Sequence, residues 1–110
     1  MDELTERLAN GDHPVTVGGP QPSVEELRRR LAEVGYVSIK FTATRGGTDL
    51  PIRLDRDASD LSAADFDQAS GTVHIEGTLV LNDDPVRCVA DIDLSTLDGT
   101  GHLVPEGAAP

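Results

Sequence analysis

The chain has 110 residues, of which 37% are hydrophobic and 3% aromatic, and it contains no tryptophan. This length fits one domain with a single modest core, built mainly from Leu, Val, Ile and Ala side chains. Twenty acidic residues against nine basic ones give a net charge of −11. Such a surface repels the phosphates of nucleic acids and anionic lipids, so the composition argues against nucleic acid or membrane as a partner.

Three features bear on the compartment of the protein. The first four residues, MDEL, are acidic and lack the apolar run of a signal peptide. No stretch approaches the roughly 18 apolar residues of a membrane span. Cys88 is the only cysteine, which excludes an intrachain disulfide, and its place in an alternating segment predicts a buried, inert thiol. We therefore predict a cytoplasmic protein.

The ends of the chain differ in composition from its middle. Residues 1–22 are predicted to form a short helix, over residues 2–9, followed by a Gly/Pro-rich loop or linker over residues 12–22. Residues 106–110 are predicted to be a disordered tail. The part between them, residues 23–105, is predicted to fold as one α+β domain.

The clearest helix covers residues 23–34. Ser23 and Glu26 form a capping box at its start, and Gly35 supplies a left-handed residue at its end. Three consecutive arginines point in three directions on a helix, so we interpret them as a solvated face. The apolar face that remains for the core consists of Val24, Leu27, Leu31 and Val34.

Alternating apolar residues predict three antiparallel hairpins. The first joins residues 36–44 to residues 49–55 around Gly46-Gly47. The second turns at Asp83-Asp84 and the third at Asp98-Gly99. In these registers the apolar faces match, with Phe41 opposite Ile52, Leu79 opposite Cys88, and Leu103 opposite Leu94.

These elements predict an α+β fold. An antiparallel sheet of about five strands, a hairpin plus a three-stranded meander, would carry the main helix on its apolar face. Pro51 cannot donate a ladder hydrogen bond, which makes residues 49–55 an edge strand. Gly77, opposite Ala90 in the predicted register, leaves room on the buried face for a helix side chain or, alternatively, an apolar ligand. A small half-closed β-barrel is the alternative architecture.

The same registers gather polar residues on the outer face. His74 would face Asp93, and His102 would face Ser95. Two histidines and a carboxylate suit a divalent transition metal, so His74, Asp93 and His102 are candidate metal ligands. A hydrolase-like triad of Ser95, a histidine and Asp93 is a second possibility, and an ordinary polar face with a cross-strand charge pair is the third.

The sequence assigns no catalytic residue and no cofactor other than that alternative metal. We therefore expect a small acidic, non-enzymatic accessory or interaction protein of unknown pathway, whose partner is another protein or a second copy in a homodimer. Its candidate binding surfaces are the 49–55 edge strand and the outer face that carries Val80, Val89 and Val104. The alternative is a domain that binds a small ligand or a metal, possibly with catalysis, in a cavity near Tyr36 or Cys88.

Overall fold

The computed structural model describes residues 3–19, 22–44, 46–81 and 83–105, so the tail predicted over residues 106–110 lies outside the described residues. A π-helical turn extends the second helix by five residues. The elements in chain order are α1 (Glu3–Ala9), β1 (His13–Val17), α2 (Val24–Arg29) with its π-helical turn (Arg30–Val34), β2 (Tyr36–Phe41), β3 (Thr48–Leu54), β4 (Ala64–Asp65), β5 (Ser70–Leu81), β6 (Asp84–Asp93) and β7 (Asp98–Pro105).

Six of the strands close into an antiparallel barrel. They are ordered β3-β2-β1-β7-β6-β5, and the ring closes where β3 pairs with β5 through Arg53 with Thr78 and Leu54 with Gly77. The two-residue β4 adds to the start of β5. The antiparallel sheet and the barrel alternative are thus confirmed, whereas an open five-stranded sheet covered by one helix is not what the described chain forms.

Strand β1 turns the sheet into a barrel, although the sequence predicts a loop there. Val15 pairs with Phe41 of β2 on one side and with Gly99 of β7 on the other. Val15 and Val17 are buried, as expected for the inward residues of a short strand. The sequence does not predict this strand, because Pro14 and the nearby glycines are residue types that normally indicate turns.

The three predicted hairpins exist, but each has a different register. Relative to the predicted pairing, the register is shifted by two residues between β5 and β6, by four between β2 and β3, and by six between β6 and β7. An even slide keeps every side chain on its face of the sheet, so the predicted inward faces survive. Leu79 lies opposite Val86 instead of Cys88, and Phe41 lies opposite Thr48 instead of Ile52. Leu103 lies opposite Cys88 instead of Leu94.

Helical leucines join the strands in one core. Leu8 of α1, Leu27 of α2 and Leu31 of the π-helical turn are buried in the same cluster as the inward strand residues. The predicted helix ends are confirmed, since the Ser23 hydroxyl accepts a hydrogen bond from the Glu26 N–H at 3.1 Å and Gly35 has φ 81°. No helix in the described ranges is long and apolar enough to cross a membrane.

Candidate functional site

The observed register separates the three residues predicted to ligate a metal. His74 lies opposite Asp91 rather than Asp93, and His102 lies opposite Val89. Within the described ranges no three His, Cys, Asp or Glu side chains are arranged to hold a metal ion. Metal binding at these residues therefore stays a prediction, without a ligand set assembled for it.

Two of the three residues hold other partners. An Asp93 carboxylate oxygen accepts hydrogen bonds from the Ser95 hydroxyl (2.7 Å) and the Ser95 N–H (2.8 Å), and these bonds lower the pKa of Asp93. His102 Nδ1 lies 3.1 Å from an oxygen of Asp12. The Ser95 hydroxyl thus bonds to a carboxylate, and among the described residues no histidine ring bonds to it, so the hydrolase-like triad is not formed.

His74 belongs instead to a charge network that runs across β5 and β6. Its Nδ1 lies 2.7 Å from an oxygen of Asp91, and its Nε2 lies 2.7 Å from an oxygen of Glu76. The other Glu76 oxygen accepts a hydrogen bond from Arg87 (3.2 Å), and Arg87 also donates to Asp55 (2.5 Å). We call these five residues the charge network.

The backbone of two network residues on β5, His74 and Glu76, also bonds to the long crossover that follows β3. Asp60 and His74 exchange two backbone hydrogen bonds, of 2.9 and 3.0 Å. The Ser59 hydroxyl donates to the Glu76 carbonyl and accepts from the Glu76 N–H. Since its contacts are all within the chain and hold one segment to another, the network is best explained as a structural device.

The charge network predicts a pH dependence of stability. The hydrogen bond to Glu76 is the main cause that raises the pKa of His74 above its ordinary 6.5, and the hydrogen bond to Asp91 raises it further. The folded protein therefore binds this proton more tightly than the unfolded chain does. The resulting stabilisation is complete below pH 6.5 and is lost as the pH rises through the raised pKa.

We expect the free energy of unfolding to fall as the pH rises above 6.5, and His74→Asn to flatten this fall. Urea denaturation at a series of pH values on both sides of 6.5 measures it. His13→Gln is the matched control, because the His13 ring bonds to the Arg7 carbonyl and, among the described residues, to no carboxylate. If His13→Gln flattens the profile as much as His74→Asn does, the charge network is not its source.

A second region of interest lies where β3 and β5 part. The Asp55 N–H donates to the Glu76 carbonyl of β5, whereas the Leu54 N–H points to the other side of β3. Because backbone groups alternate along a strand, Arg53 and Pro51 face β5 as Asp55 does. Pro51 has no N–H to donate, so the ladder between β3 and β5 stops after Arg53.

The two strands then separate and leave an open groove on the outside of the barrel. Its volume is about 510 Å³. Val80 is 69% exposed and Tyr36 is 50% exposed, which is high for apolar and aromatic side chains. The groove is lined by Tyr36, Pro51, Arg53, Thr78, Leu79, Val80 and Pro85.

The groove is lined by residue types that are common in protein–protein interfaces. Tyr36 of β2 lies opposite Arg53 of β3, Arg53 lies opposite Thr78 of β5, and all three residues line the groove. Within the described residues the Arg53 side chain makes no hydrogen bond or ion pair. Tyrosine and arginine are enriched among the residues that carry most of the energy in interfaces.

Sequence reasoning found part of this groove. The prediction of residues 49–55 as an edge strand is wrong at Arg53 and Leu54, which pair with β5 as well as belonging to the β2–β3 hairpin. The part of β3 near Pro51 has no such second partner in the described ranges, and it lines the groove together with Val80. Of the other two predicted valines, Val104 is 40% exposed and Val89 is half-buried. The sequence does not predict the pairing of Tyr36 with Arg53, because this pairing depends on the observed register of β2 and β3.

The space near Gly77 and Cys88, which the sequence suggests as a ligand site, is filled. The space next to Gly77 is occupied by β3, and the buried Cys88 thiol has its pKa raised to about 12 by desolvation, so it is inert. Another cavity, of about 470 Å³, lies beside α2. Among its described lining residues, Arg29 and Arg30 both bond to the Glu26 carboxylate, and Glu25 supplies a second negative charge, so these four side chains carry no net charge that would attract an anionic ligand.

Comparison with known proteins places nearly the whole chain in one family. The family model of the core binding factor beta subunit matches residues 2–108. Protein big brother and Protein brother, both from Drosophila melanogaster, are 32% and 29% identical to the chain over 108 residues. These alignments cover 93% of the chain and 50% of each relative, so the chain spans about half the length of the curated relatives it matches.

Proposed function

The chain belongs to the core binding factor beta subunit family, and we propose that it is a non-enzymatic subunit that assembles with a transcription factor. The observation that carries this proposal is the family match over residues 2–108. The groove at Tyr36, Arg53 and Val80 supports it, because it offers exposed apolar area and a guanidinium that makes no ion pair with the described residues. We assign the contact with the partner to this groove.

The net charge of the chain bears on which subunit of such an assembly contacts DNA. A net charge of −11 disfavours direct contact with DNA phosphates. In this proposal the partner therefore makes the contacts with DNA, and the chain described here contacts the partner. The cytoplasmic location predicted from the sequence stays a prediction, since the proposed assembly acts where its partner acts.

We expect Val80→Asp to abolish assembly, because a charge at the centre of an interface is desolvated without a counter-ion. The tagged full chain is expressed in its source cells, and the proteins that co-purify with it are quantified by mass spectrometry. A transcription factor should co-purify with the wild type, and its amount should fall by about tenfold or more in Val80→Asp.

Gln68→Asp is the matched control. It adds the same charge at an exposed position of the crossover, which joins β5 at the end far from the groove. It should recover the partner as well as the wild type does. Equal recovery with Val80→Asp would show that the groove is not the interface. A wild-type chain that runs as a homodimer and carries no transcription factor would overturn the subunit proposal itself.

A further inference from the structure

The outer edge of β5 is covered along most of its length. On the side away from β6, β5 pairs with β4 at its start, with Asp60 at His74, and with β3 at Gly77 and Thr78. Beyond Thr78 no strand in the described ranges pairs with this edge. The stretch that remains open is residues 79–81, and Leu79 and Val80 within it line the groove.

The backbone of Val80 points into that opening. The N–H groups of Thr72, His74 and Glu76 all donate away from β6, to the crossover. The pairing of β5 with β6 is continuous from Thr72 to Leu81, so this alternation continues and the N–H and C=O of Val80 also point away from β6. The residue that would continue the ladder is Pro51, which has no N–H to offer.

We propose that the partner binds this groove with an extended segment that pairs with β5 at Val80 as an added β-strand, an inference that rests on the proposed function. The Val80 N–H and C=O bind the backbone of the incoming segment. An acidic side chain of that segment pairs with Arg53, which makes no ion pair within the described residues. Apolar side chains on the same face contact Val80 and Tyr36.

The open backbone favours a strand over a helix. A helix satisfies its own backbone groups, so a helix laid into the groove would bury the Val80 N–H and C=O without partners, which is unfavourable. An extended segment supplies both partners. Because Pro51 blocks the opposite wall, the incoming strand bonds to β5 alone, and the pairing is short.

The test uses a capped hexapeptide of sequence TVDVTV as the probe and the isotope-labelled full chain in NMR titrations. We expect saturable shifts of the Val80 amide and of Arg53. Val80→Pro should weaken binding by about tenfold or more, since it removes the N–H that faces the groove and leaves the β5–β6 ladder unchanged. Val80→Thr keeps the N–H and a branched side chain, and should bind like the wild type.

Two further peptides make the test independent of how the variants fold. Both are titrated into the wild-type chain: one carries Lys in place of Asp, and the other is N-methylated at the amides that would donate to β5. Weaker binding of both supports the strand and its acidic contact. No saturable shift with TVDVTV, or equal binding of the N-methylated peptide, overturns the proposal. If Val80→Asp loses the transcription factor while Val80→Pro keeps it, strand pairing is wrong and the subunit function stands.

Discussion

Gly77→Ala is expected to destabilise the barrel by about 3 kcal/mol, at the upper end of what one added methyl group costs in a packed core. Gly77 lies on β5 where β3 crosses it to close the ring. A Cβ atom there would overlap a methyl group of Ile52 and the backbone carbonyl of Arg53. The strand itself must therefore move, because backbone cannot rotate away as a flexible side chain can. Urea denaturation followed by circular dichroism measures the loss.

Thr78→Ala is the matched control for this prediction. Thr78 is the next residue of the same strand and lies half-buried on the outer face. We expect it to cost less than about 1 kcal/mol, as is usual away from a packed core. If Gly77→Ala unfolds at the same urea concentration as the wild type, β3 does not pack on β5 as described, and the barrel is not closed at this point.

Gly77 also shows what alternation can and cannot predict. The sequence places Gly77 on the buried face opposite a small residue, and the structure agrees, with Cys88 in place of Ala90. The neighbouring space, however, is filled by β3 and not by a helix side chain or a ligand. Pairing between consecutive strands can be predicted from the alternation of each one. The closure of the ring between β3 and β5 cannot be predicted in this way, because no local sequence signal links Arg53 to Thr78.

The missed strand and the largest register error have a common cause. The turn predicted at Asp98-Gly99 lies inside β7, and the left-handed residue of the true turn is Leu97, with φ 60°. The Leu97 carbonyl accepts hydrogen bonds from the Val17 N–H (2.9 Å) and the Thr16 hydroxyl (2.8 Å) of β1. The observed turn at Leu97 is thus in contact with β1. Because the sequence does not predict β1, it gives no reason to prefer a turn at Leu97 over the stronger turn signal of Asp98-Gly99.

The register errors also limit how much of the groove and of the charge network could be predicted from the sequence. Exposure of Val80 and the edge position of Pro51 follow from alternation and from proline chemistry, which do not depend on register. The neighbours of His74 and Arg53 do depend on it. With β5 and β6 slid by two residues, His74 bonds to Asp91 and not to Asp93. Of the three predicted metal ligands only His74 therefore belongs to the charge network, whereas Asp93 bonds to Ser95 and His102 to Asp12.

Arg87→Met is expected to lower the free energy of unfolding by about 2 kcal/mol. Arg87 bridges Glu76 and Asp55, whose side chains are 23% and 34% exposed. Its removal leaves both half-buried carboxylates without that cation, while methionine retains the apolar stem. Arg87→Lys should lose less, because an ammonium group keeps the charge but cannot hold both carboxylates with a planar fork. Urea denaturation below pH 6.5 measures these changes.

Arg7→Met is the control for loss of an arginine charge, because Arg7 and its partner Glu3 are 58% and 89% exposed and their pair should contribute little. A loss in Arg87→Met that is no larger would contradict the structural role of the charge network. Packing and charge can also be separated. Without Arg87, Glu76 has His74 as its remaining cationic partner in the network, so it holds the His74 proton more tightly. The fall in stability above pH 6.5 should then move to higher pH, which loss of packing alone would not produce.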